Sequence, residues 1–134
     1  MSTSAAAFQL DDTYVQLLDG AAAVPVPVDP DFWERIQERK ELHEGRLVIL
    51  SHQSGTMMHW EVHPAGDELL YLLSGKIDVV LETENTEQVV NLQERTAVIV
   101  PRGVWHTLRV HTPGDLLSIT RGEGAQIRSA HETP

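Results

Sequence analysis

The sequence predicts an all-β fold, and three observations predict it. From Arg46 onward, apolar residues recur with a period of two in short runs. Turn residues punctuate those runs evenly, at Ser54-Gly55, Pro64-Ala65-Gly66-Asp67, Ser74-Gly75, Pro101-Arg102-Gly103 and Thr112-Pro113-Gly114-Asp115. No strand–helix–strand alternation is present, which excludes a parallel sheet. About eight short strands so spaced fit a sandwich, a jelly roll or a small barrel.

The elements follow in order. Val24-Pro25-Val26-Pro27-Val28 reads as an edge or a covering arm, because proline cannot donate to a central ladder. A short helix comes next, with Asp29 as N-cap and Pro30 at the first helical position. Phe32 and Ile36 share one face of it beside Trp33, and Gly45 ends the polar stretch Glu34 to Glu44. Predicted strands are Arg46–His52, Thr56–His63, Glu68–Leu73, Lys76–Glu82, Gln88–Leu92, Thr96–Val100, Trp105–His111 and Leu116–Thr120. In Lys76–Glu82, Ile77, Val79 and Leu81 face one way while Lys76, Asp78 and Glu82 face the other, giving one buried and one wet face. Glu68–Leu73 is apolar on both parities, so it needs two covers; a homodimer is the expected source of the second, with the N-terminal arm as the other option. The expected organisation is one domain, with residues 1–44 an arm and short helix packing on a barrel of residues 45–134.

Composition narrows the function classes. The 134 residues carry 10 Lys and Arg against 20 Asp and Glu, a formal charge of −10, and no cysteine. Such a chain repels phosphate backbones and anionic lipid, so neither nucleic acid nor membrane is an expected partner. Lacking thiols, it has no disulfide scaffold, no thiolate metal site and no cysteine nucleophile. The leading Met-Ser-Thr-Ser-Ala-Ala-Ala has no positive n-region, so the expected location is cytoplasmic.

The chemistry-bearing stretch is Gly55 to Glu68. In an extended strand His59, Glu61 and His63 project to one face, and Met58, Trp60 and Val62 to the other. Glu68 follows a Pro-Gly turn, so a hairpin can return it beside His63, and His106 opens a later strand. Imidazole and carboxylate together suit a divalent transition metal held by N and O atoms. Plain amphipathicity argues the opposite, burying Met58, Trp60 and Val62 and leaving His59, Glu61 and His63 in water. Asp67 reads as a turn former and Trp105 as a packing residue; His43, His111 and His131 receive no role.

Combined spacing favours the metal. The stretch resembles the first signature of the cupin superfamily, G-x5-H-x-H-x3–4-E-x6-G. Gly55 is followed by five residues, Glu61-Val62-His63, four residues, Glu68, six residues and Gly75. Pro101, Gly103 and His106 match the second signature, G-x5-P-x-G-x2-H-x3-N, whose leading glycine is here Arg95 and whose closing asparagine is Val110. The resemblance implies a cupin-type jelly roll, usually dimeric, with one divalent metal (Zn, Mn, Fe or Ni) near the barrel mouth. The implied ligands are Glu61, His63, Glu68 and His106, with His59 on the pocket wall beside them. Glu61 stands where the family has histidine, and several roles are open to it. It coordinates as a carboxylate, it yields its place to His59, it acts as a general base with a raised pKa, or it abolishes tight metal binding.

Two functions are open. One is a small-molecule metalloenzyme of isomerase or dioxygenase type, in which the metal is a Lewis acid. The other is a non-catalytic cupin that binds a small molecule or a metal as sensor or carrier. An open coordination position facing a cavity favours the first.

Overall fold

The computed structural model describes residues 5–129; the leading Met-Ser-Thr-Ser and His131 lie outside that range. Among the described residues, eleven strands form two antiparallel sheets. The strands are β1 (Thr13–Leu17), β2 (Ala23–Pro27), β3 (Arg46–Gln53), β4 (His59–Val62), β5 (Glu68–Leu72) and β6 (Lys76–Thr83). They continue as β7 (Thr86–Leu92), β8 (Ala97–Val100), β9 (His106–Thr112), β10 (Gly114–Thr120) and β11 (Gln126–Ser129). One sheet runs β2-β1-β3-β10-β5-β8 and the other β11-β4-β9-β6-β7.

All eight predicted strands are present, with shifted ends. Thr56–His63 shortens to β4, because Met57 and Thr56 meet β9 through single bonds to the Leu108 carbonyl and the Val110 amide rather than a ladder. Three further strands lie outside those eight, and of these only β2 falls on a run read from the sequence, as an edge or a covering arm. β1 and β11 are only five and four residues long, too short for a period to stand out. β2 carries Pro25 and Pro27 and lies at the outer edge of its sheet, where missing N–H donors cost nothing. The N-terminal segment is thus not merely an arm: β1 pairs with β3 and extends the six-stranded sheet.

The predicted helix is much shorter. Only Phe32–Arg35 is α-helical, followed by 3-10 turns at Ile36–Glu38 and Lys40–His43. Asp31, not Asp29, stands at the N-cap, without a side-chain cap; Asp29 instead accepts a bond from the Asp31 amide at 3.1 Å. Tertiary packing decides this geometry. Phe32 is driven into a cluster with Tyr14, Val26, Leu42, Leu47 and Ile49, and buried Gln16 donates to the Glu41 and Glu44 carbonyls. Gly45 closes the segment at φ +67°, where a Cβ would lie 1.8 Å from the Leu17 carbonyl oxygen.

The inner faces of the sheets meet in an apolar core of Leu70, Leu72, Ile77, Val79, Leu108 and Leu116, among others. This core fills one end of the molecule, and the Phe32 cluster flanks the other. A cavity of about 410 Å³ lies at that second end, lined by residues from both sheets and the helix. Strand pairing stops at edge strands in both sheets, so the expected closed barrel is observed as two facing sheets.

Candidate metal centre

Strand parity puts the predicted residues together. β4 turns His59 and Glu61 toward the cavity, and His63, just beyond its end, follows the same parity. Glu61 is the direct register partner of His106 on β9, so a carboxylate and an imidazole stand side by side. Glu68 opens β5 in the other sheet and faces them. Amphipathicity alone is only partly right: Val62 is buried as it requires, but Met58 is 60% exposed and the His63 side chain only 11% exposed.

Loop chemistry holds the ligand-bearing segments in place. Gly103 sits at φ +76° and its amide donates to the His63 carbonyl at 3.1 Å. The Arg102 amide donates to Asp67 Oδ1 at 2.9 Å, so Asp67 does shape a turn, but by tying two loops together. The Pro-x-Gly segment thereby fixes the loop before His106 against the loop between His63 and Glu68.

At the site His106 Nε2 lies 3.0 Å from Glu68 Oε1, and His63 Nε2 lies 3.5 Å from Glu68 Oε2 and 3.7 Å from Glu61 Oε2. His59 Nε2 bonds the other Glu61 oxygen, Oε1, at 3.0 Å. Glu61, His63 and His106 each offer one ligand atom within 4.8 Å of the others. Glu68 touches both histidines from the opposite sheet without entering that mutual group, and His59 reaches the group only through Glu61.

The electrostatics fit a cation. Burial pushes the Glu61 carboxyl up, but the His63 and His59 imidazoles outweigh it and hold it at about 2. Glu61 is therefore an ionised carboxylate at neutral pH, and the raised pKa required of a general base is not met. Burial pushes His106 down, but Glu68, the Val104 carbonyl and Glu61 outweigh it and raise it. The Val104 carbonyl lies 3.1 Å from His106 Nδ1, so that nitrogen carries the proton and Nε2 faces Glu68. Both ring nitrogens of His63 are buried without a hydrogen-bond partner. His63 Nε2 faces both carboxylates at 3.5 Å and 3.7 Å without a hydrogen bond to either, an arrangement in which a cation could take its lone pair.

Other histidines lie elsewhere. His52 pairs with Asp115 at 2.9 Å in the open, and His111 pairs with buried Asp78 at 2.6 Å. Trp105 packs as expected, against the Arg128 guanidinium, which also lies over Trp60 and bonds Glu82. Sequence reasoning missed Thr120, a buried hydroxyl with no partner at the cavity wall. No spacing pattern marks such a residue.

A family model described as a cupin domain matches residues 48–120, more than half of the chain. A search of curated proteins found no match. Among solved structures, the chain is similar to a protein from Neisseria meningitidis, at 22% identity over 57% of this chain and 74% of that one, with a TM-score of 0.50. It is similar to a cupin-2 domain containing protein from Shewanella frigidimarina, at 20% identity over 57% of this chain and 70% of that one, with a TM-score of 0.49. It is also similar to oxalate decarboxylase from Bacillus subtilis, at 22% identity and a TM-score of 0.53, covering 63% of this chain but 23% of the enzyme. Another structure of that enzyme concerns its Mn(II) centers. At these identities the likeness is one of fold.

Proposed function

This chain belongs to the cupin family, and from that premise we propose that it is a metal-binding cupin whose divalent transition metal is held by Glu61, His63, Glu68 and His106. The observation that carries the reading is the buried His63 imidazole, unpartnered at both nitrogens and set between two carboxylates. Nitrogen and oxygen donors of this kind suit Zn, Mn, Fe or Ni. His106 presents Nε2 because the Val104 carbonyl occupies Nδ1, and His59 steadies Glu61 from the cavity wall. When bound, the metal supplies a Lewis acid able to polarise an oxygen of a small molecule in the adjoining cavity. That open cavity favours a small-molecule site, an isomerase- or dioxygenase-like enzyme among the possibilities, over a closed structural one.

Elemental analysis of untagged protein, as purified and after reconstitution, tests the reading. One metal per chain, lost in both His63→Ala and His106→Ala, is expected. Absence of stoichiometric metal in the wild type under both conditions overturns it.

We further propose that the outer face of the six-stranded sheet pairs with a second copy of the chain. Register places Val15, Val48, Ile119, Leu69 and Ile99 in one row across five strands, with Leu50, Leu117 and Tyr71 in the next. Ile99 is 63% exposed. These rows carry no charge, so two copies of an acidic chain can meet there without apposing carboxylates, and a two-fold contact needs only one such patch.

A further inference from the structure

We propose that the cavity above the metal centre takes an uncharged, largely apolar molecule bearing one hydroxyl or carbonyl, and turns away small carboxylates. The inference rests on the reading of that cavity as a small-molecule site. The volume of about 410 Å³ lies in the usual range for small-molecule sites, ~300–1,000 Å³. Its wall takes apolar surface from Leu47 and Ile49 on β3, Trp33 and Ile36 on the helical segment and Ile127 on β11, with uncharged polar groups from Gln37, Ser51, Gln53, Ser118 and Gln126 between them.

Charge selects against anions. Among the described residues, Glu61 and Glu68 are the only formally charged ones that line the cavity, and no lysine or arginine does. Four arginines are adjacent in sequence to lining residues; Arg35 and Arg46 are exposed, and the other two are engaged elsewhere. Arg121, beside Thr120, pairs with Asp19 and Glu123, and Arg128, beside Ile127, stacks on Trp105 and bonds Glu82. A carboxylate entering here meets the Glu61 and Glu68 carboxylates and no cationic lysine or arginine of the wall to pair with.

Outside the metal group, one polar side chain of the wall is buried without a partner. Thr120 is 6% exposed, its Oγ1 has no hydrogen-bond partner, and it lines the cavity next to Leu47, its register partner. A buried hydroxyl without a partner is rare in proteins and is satisfied by a donor or acceptor that the ligand brings.

The test uses 2-naphthol and 2-naphthoate, which share one ring system and differ in charge near neutral pH. Isothermal titration of the full-length, untagged protein, metal-loaded and chelator-treated, should show 2-naphthol binding at least tenfold more tightly than 2-naphthoate. Thr120→Val should weaken 2-naphthol several-fold while leaving the melting temperature unchanged or higher, because the orphan hydroxyl is gone. Ala125→Trp, at the cavity wall, should block 2-naphthol with the circular dichroism spectrum preserved. Equal or tighter binding of 2-naphthoate, no detectable binding of 2-naphthol, or unchanged 2-naphthol affinity in both variants overturns the proposal. Metal content measured on the same samples separates the two readings. Selective 2-naphthol binding without stoichiometric metal sustains this proposal and sinks the metal reading, and bound metal with no 2-naphthol binding does the reverse.

Discussion

His59 offers the sharpest prediction, because the structure gives it a role that differs in magnitude from that of a ligand. Its Nε2 bonds Glu61 Oε1 at 3.0 Å, while Glu61 Oε2 faces His63. His59 therefore orients the carboxylate and helps to keep it ionised, without a direct place in the group formed by Glu61, His63 and His106. Loss of such an orienting partner typically lowers metal affinity about 10–100-fold. At about 1.4 kcal/mol per tenfold, that is about 1.4–2.8 kcal/mol. His59→Ala should fall in this window in competition titrations of metal against a chromophoric chelator at pH 7.5. Glu61→Ala should lose more, since it removes the donor itself. In the Glu61→Ala background, His59→Ala should add almost nothing, because its effect passes through that carboxylate. An affinity unchanged by His59→Ala would refute the orienting role. A loss as large as that of His63→Ala, or additivity in the double variant, would make His59 a ligand in its own right.

Other consequences are open to measurement. Glu61 is depressed from 4.5 to about 2, so its contribution to the stability of the metal-free protein is present above pH ~4.5 and lost as pH falls toward 2. Denaturant titrations of chelator-treated protein should show that decline, and Glu61→Gln should flatten it. His106 is raised, so its contribution is full below its ordinary value of 6.5 and is lost as pH rises through the raised value. His106→Gln should remove that segment of the pH profile. Arg95 occupies φ +66°, the left-handed region that favours glycine; Arg95→Gly should stabilise by about 1 kcal/mol in thermal melts, from relief of backbone strain less the entropy glycine adds to the unfolded chain. Leu69→Asp with Ile99→Asp should convert a dimer to a monomer in sedimentation experiments while the circular dichroism spectrum is unchanged. A wild type that already sediments as a monomer at all concentrations would end the dimer proposal.

Much of the fold was legible because local signals agreed. Period-two runs bounded by glycine, proline and aspartate located eight strands between Arg46 and Thr120. The prolines of Val24–Val28 placed an edge, and β2 is one. The segment Glu34–Glu44 was harder. Cap residues and the Phe32–Ile36 spacing read a short helix running into this polar stretch, but burial of Phe32 and the Gln16 bonds to the Glu41 and Glu44 carbonyls accompany a set of single turns. The substitution of arginine for the motif glycine at position 95 was visible, yet only the backbone showed that the position is strained.

For the site, the sequence by itself determined that His59, Glu61 and His63 share a face, because strand parity is a local property. Parity alone left open which face looks inward, and only the signature spacing pointed to the one bearing His59, Glu61 and His63. A period of two is unchanged when the faces are exchanged, and the hydrophobicity of Met58, Trp60 and Val62 favoured the opposite choice. Tertiary structure decided that question by setting β4 beside β9, where Glu61 and His106 become register partners, and by placing Glu68 across from them on the other sheet. It also decided what surrounds the centre, turning Arg121 and Arg128 outward and leaving the Thr120 hydroxyl at the cavity wall. Such placements depend on contacts between residues far apart in sequence, which no local pattern encodes.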